Sequence, residues 1–178
     1  MVVVALEILV LGVVYLITFL GIVYVHELGH YLTGRYVVGI PRSDITIVML
    51  ALPQHVALRG ETDWVGPSEE RYVELYEQYD PGDEHVLEYI ASGEIIQTIA
   101  VIGSAVVFAL SGLESYGRFL VLFSLLLTVS YLVYDGLFTY STGYPAGDFS
   151  ALWRISPVVA VGTLLFVIIP HAVVYITI

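Results

Sequence analysis

The chain has 178 residues, 58% of them hydrophobic, and a formal net charge of −11. That length suits one domain, here taken as residues 1–178, and the apolar excess places its core in lipid. With no cysteine, disulfides, thiolate metal ligands and a cysteine nucleophile are excluded. The acidic balance excludes nucleic acid and anionic lipid headgroups as natural partners.

The first apolar run extends from Val2 to about Thr33, broken early only by Glu7. It lacks a basic leader and a small-residue cleavage site, so it reads as a retained helix rather than a signal peptide. Glycines and Pro41 end it. Ile45–Leu52 and His55–Arg59 are β-branched and too short to span, which predicts a hairpin at the membrane surface.

Residues 61–94 then form an acidic polar insertion. Eleven of the 17 carboxylates lie there, with Arg71 the only Lys or Arg. A short helix is expected from Pro67-Ser68 to Tyr79, and a second amphipathic piece around Val86–Ile90. Further spanning helices are expected at about Ile95–Leu113, Arg118–Thr139 and Ser156–Ile178, the last kinked at Pro170. The expected fold is an all-α membrane bundle of about four transmembrane helices, with a β-hairpin after the first and an acidic cytoplasmic segment. Arg35, Arg42, Arg59, Arg71 and Arg154 fall on one side and Arg118 on the other, which makes the five-arginine side cytoplasmic. The chain contains no Lys and no Asn, a composition that suits a cytosol of high salt.

The chemistry concentrates in His26-Glu27-Leu28-Gly29-His30. Histidines at i and i+4 project from one helix face a turn apart and can share one Zn²⁺. Glu27 lies beside such a metal and is placed to take a proton from its water. Three ionisable groups at the end of an apolar helix cost about 2.5–3.5 kcal/mol for each uncompensated charge at mid-bilayer, which argues against a chance match.

A third ligand is required. Asp148 and Asp135 both fall on the side of His26 and His30. Asp148 also suits a helix N-cap, with ligation the weightier reading; Asp135 weighs slightly more as a buried, hydrogen-bonded carboxylate. His55, His85 and His171 are lesser candidates, His171 serving equally well to bond a carbonyl freed by the Pro170 kink.

The pentad at a helix end, the β-rich stretch after it and Tyr144-Pro145-Ala146-Gly147-Asp148 after a later span together resemble the site-2 protease family of intramembrane zinc metalloproteases. The resemblance implies zinc held by His26, His30 and Asp148, with Glu27 as general base. It also implies a membrane core of three helices and cleavage of peptide bonds in membrane-spanning protein substrates. Together with the apolar runs and the arginine placement, the expectation is a multi-pass protein of the cell membrane with its active site near the cytoplasmic face. Departures are Gly147-Asp148-Phe149 where the family has Leu-Asp-Gly, and Ile102-Gly103-Ser104-Ala105-Val106 where it often has a Gly-Pro pair and an Asn. A catalytically silent zinc protein acting through membrane partners is the alternative. A transporter would need ionisable groups in more spans.

Overall fold

The computed structural model describes residues 2–178. Helix α1 (Val2–Thr33) runs on as a π-helical turn, Gly34–Val38, and stops at Gly39, whose φ of 87° reverses the chain. Three antiparallel strands follow in the order β1 (Ile45–Val48), β2 (His55–Arg59), β3 (Trp64–Val65). Leu58 is the hinge of the register, opposite Ile45 on one side and Val65 on the other. Next come α2 (Glu70–Glu77), α3 (Val86–Leu110), α4 (Glu114–Thr142), α5 (Asp148–Ile155) and α6 (Pro157–Thr177).

Helices α1, α3, α4 and α6 are each long and apolar enough to cross a membrane. The 25 residues of α3 rise about 37 Å, more than the roughly 30 Å of a hydrocarbon core. The helices pack antiparallel in sequence. His30, His26 and Ile22 on α1 meet Tyr89, Gln97 and Val101 on α3 in reverse order. Gln97 in turn meets Ser124 and Thr128 on α4, and Ser124 meets His171 on α6.

The bundle is patterned inside out. Buried positions on α4 are Gly117, Val121, Ser124, Thr128 and Asp135, a helical stripe of mainly small and polar residues. On α6 they are Ala160, Thr163, Val167 and His171. Leu122, Leu126, Val129, Val133 and Leu137 of α4 face outward. Small and polar residues between helices, with large apolar ones outside, suit a multi-pass membrane protein, because lipid provides no reason to hide Leu or Val.

A separate core caps the end of the bundle at which α1 finishes. Ile40, Ile45, Val56, Leu58 and Val65 of the loop and sheet pack there with Tyr72 and Tyr76 of α2 and Tyr89 of α3. Burial pushes the Tyr72 and Tyr76 hydroxyls above their usual pKa, and the carboxylate of Asp80, which accepts from Tyr76 at 3.0 Å, raises Tyr76 further.

Three details differ from the sequence reading. The hairpin gains a third strand. Helix α2 begins at Glu70 and ends at Glu77, a turn inside its expected limits at the N-terminal side. The acidic stretch ends inside α3, which starts at Val86 rather than Ile95. From Tyr89 on it is buried against protein, including Ser92 and Glu94, so polar residues there do not mark solvent.

Candidate metal centre

Helix geometry brings His26 and His30 together, with ring centroids 4.9 Å apart and Nε2 atoms 3.2 Å apart. Asp148, the first residue of α5, completes a triangle. Its Oδ2 lies 3.0 Å from His26 Nε2 and 3.1 Å from His30 Nε2. Among the described residues this is the group of His, Asp and Glu side chains whose donor atoms converge closely enough to hold a metal ion.

The donor set fits zinc. Ligands 2.0–2.1 Å from a tetrahedral ion stand about 3.3 Å apart, close to the 3.0–3.2 Å edges here. The far side of each ring supports ligation. His30 Nδ1 donates to the Tyr89 carbonyl at 2.8 Å, and His26 Nδ1 donates to Gln97 Oε1 at 3.2 Å. A carbonyl can only accept, so His30 keeps a proton on Nδ1, and Nε2 is the nitrogen free to offer a lone pair inward. Three electron-pair donors this close need a shared positive charge, from a metal ion or from protons. Where that charge is carried by protons on the two Nε2 atoms rather than by a metal, burial still opposes the ionisation of Asp148, but His30 and His26 outweigh burial and hold its carboxyl well below the usual carboxylate range.

Backbone fit depends on two glycines. A Cβ on Gly29 would stand 2.4 Å from the Ser92 carbonyl oxygen, so Gly29 lets α3 lie directly against α1. A Cβ on Gly93 would stand 2.4 Å from His30 Nε2 and 2.7 Å from His26 Nε2. Gly93 therefore leaves the space into which both imidazoles turn.

Glu27 is buried next along α1, about 100° around the helix from His26. His26, His30 and Asp148 lie close enough to act on its charge, while no hydrogen bond engages its carboxylate among the described residues. Glu94, also buried, has Oε1 3.9 Å from His26 Nδ1 and accepts from Thr128 Oγ1 at 3.3 Å through Oε2.

Asp135 does a different job. Its Oδ2 accepts the Ser150 backbone N–H at 2.8 Å and its Oδ1 the Thr139 hydroxyl at 3.1 Å. It thereby caps α5 from the end of α4, while Asp148, one residue past the Gly147 N-cap, turns towards α1. His55 Nδ1 donates to the Pro53 carbonyl, and the backbone N–H of His85 to Asp80. Neither belongs to the converging group. His171 Nδ1 donates to the Val167 carbonyl at 2.8 Å, one residue along from Phe166, whose carbonyl Pro170 leaves free. Gly103, in the stretch compared with the family's Gly-Pro and Asn, is open: a Cβ there would meet nothing within 4 Å. The residues that approach the site from α3 are Tyr89, Gly93, Glu94 and Gln97, which sequence reasoning did not single out. The available signal was their spacing, which puts all four near one face of α3.

Compared with protein-family models, curated proteins and solved structures, the chain finds no match.

Proposed function

We propose that this chain is an intramembrane zinc endopeptidase of the site-2 protease kind, cleaving peptide bonds in membrane-spanning protein substrates. The observation that carries the proposal is the triangle of His26 Nε2, His30 Nε2 and Asp148 Oδ2, with the uncommitted carboxylate of Glu27 beside it. His26, His30 and Asp148 would hold the metal. Zinc bound there would supply Lewis acidity, polarising a carbonyl and acidifying water. Glu27 accepts the proton of the attacking water on a carboxylate oxygen and passes it to the leaving amine. Its lack of a fixed partner leaves both oxygens available for that transfer.

Four helices of membrane-crossing length support a multi-pass position in the cell membrane. The site lies at the end that carries Arg35, Arg42, Arg59, Arg71 and Arg154, so in this reading it opens near the cytoplasmic face. The sheet and α2 then stand in the cytosol over it. The absence of Asn favours one rival, a catalytically silent zinc protein that works through membrane partners.

Cleavage of a transmembrane model substrate by the purified protein in vesicles separates the two. The endopeptidase requires zinc-dependent cleavage that Glu27→Gln abolishes without releasing the metal. Equal cleavage by parent and Glu27→Gln would remove Glu27 from the mechanism, and no cleavage by a zinc-loaded parent would favour the silent protein.

A further inference from the structure

Gln97 on α3 is 4% exposed and bonded on every polar hydrogen. Its Oε1 accepts from His26 Nδ1, and its Nε2 donates to Ser124 Oγ and to Thr128 Oγ1, each at 3.2 Å. Ser124 Oγ lies 3.2 Å from His171 Nε2, and His171 Nδ1 lies 2.8 Å from the Val167 carbonyl. Ser124 and His171 are both fully buried. This is one continuous polar chain through the middle of the bundle, linking α6, α4, α3 and α1.

The direction of each bond follows from the one before. The Val167 carbonyl can only accept, so His171 carries its proton on Nδ1. A carbonyl and a hydroxyl are its hydrogen-bond partners, and neither offsets a buried charge, so the ring is neutral and Nε2 is an acceptor. Ser124 must then donate to His171 and has only lone pairs left for Gln97. The amide must present its NH₂ to Ser124 and its oxygen to His26. Facing that oxygen, His26 must hold its proton on Nδ1, which leaves Nε2 bare towards His30 and Asp148. With the amide reversed, the NH₂ would face Nδ1, and the proton of His26 would move to Nε2, where a metal must bind. Thr128 fits the same sense: it accepts from Gln97 and donates to Glu94.

We propose that Gln97 is a positioning residue for the metal centre, and that the chain Val167–His171–Ser124–Gln97 selects the tautomer of His26 that can ligate. The proposal rests on the metal-centre reading but not on proteolysis. Partners of this kind typically change metal affinity about 10- to 100-fold.

The test measures zinc affinity by chelator competition, with the visible spectrum of the Co²⁺-loaded protein as a report on ligand geometry. The proteins compared are the parent, Gln97→Met, Gln97→Glu, Ser124→Ala and Thr163→Val. Gln97→Met, similar in volume but without the amide, should bind about 10- to 100-fold more weakly with an altered cobalt spectrum. Gln97→Glu keeps an oxygen facing His26 and should restore affinity to within a few-fold of the parent. Ser124→Ala, a small truncation at the middle of the chain, should shift the spectrum and weaken binding, and it carries the test if Gln97→Met does not fold. Thr163→Val, equally buried on α6 but outside the chain, should match the parent. Parent-like affinity and spectrum in both Gln97→Met and Ser124→Ala would overturn the positioning role. A parent that binds no zinc would instead overturn the metal-centre reading beneath it.

Discussion

Gly93→Ala is the substitution whose effect is most directly set by the geometry. The new methyl would stand 2.4 Å from His30 Nε2, 2.7 Å from His26 Nε2 and 2.8 Å from His26 Cε1. Relief to an ordinary 3.4 Å contact asks the two nitrogens to retreat by about 1.0 Å and about 0.7 Å. A metal site tolerates roughly 0.2 Å. Moving α3 away instead would drag Tyr89 and Gln97 from the far sides of the same two rings. In the metal-free protein the imidazoles can swing aside, so the strain is met when metal binds. Overpacking of one methyl costs about 1–3 kcal/mol, or about 5- to 140-fold in affinity. Gly103→Ala is the control, since its methyl meets nothing within 4 Å. Zinc competition titrations on the two variants measure the difference. Parent-like affinity in Gly93→Ala would refute the close approach of α3 to the ligand rings.

Asp148→Ala should lose zinc and keep the helical fold, whereas Asp135→Ala should keep zinc near stoichiometric and lose about 1–3 kcal/mol of stability through the unpaired Ser150 N–H; metal content and thermal unfolding of both variants decide it, and the reverse pattern would exchange their roles. Tyr72 and Tyr76 make stability fall at high pH: with folded pKa values raised by burial, their contribution is complete below the unfolded value of about 10 and is lost as pH rises through the folded values. Hydrogen exchange of the β2 amides should therefore quicken above about pH 10, and tyrosine absorbance should show these two ionising late; ordinary titration with an intact sheet would contradict the packing.

The four long helices are legible as apolar runs, because lipid-facing positions demand Leu, Val and Ile and little else. Their starts are less so. Helix α3 opens with Val86-Leu87-Glu88-Tyr89, where Val86 and Leu87 are half-buried, Glu88 is exposed and Tyr89 is buried against protein, so apolar content stops marking the span. Strand β3 has two residues and no alternation to read; it exists because Leu58 pairs with Val65 across a tight turn. At the site, the i, i+4 histidines are legible because the spacing alone fixes their shared face. The division of labour between Asp148 and Asp135 is legible only as a leaning, Asp148 towards ligation and Asp135 towards a buried hydrogen bond, since both are aspartates at the same end of the bundle. It is decided by Ser150, whose N–H engages Asp135 and leaves Asp148 free to face α1. The spacing of Gly93 and Gln97 puts them near one face of α3, but their partners lie about 60 to 70 positions away on α1, so the spacing alone does not say what that face meets.

Whether His26, His30 and Asp148 hold one zinc ion is decided by zinc K-edge X-ray absorption on the purified, metal-loaded protein. The expected result is one zinc per chain with two imidazole nitrogens at about 2.0–2.1 Å and carboxylate oxygen at about 2.0–2.2 Å, and loss of the imidazole signal in a His26→Ala, His30→Ala double variant. Zinc that stays bound with an unchanged imidazole count in that variant would contradict it.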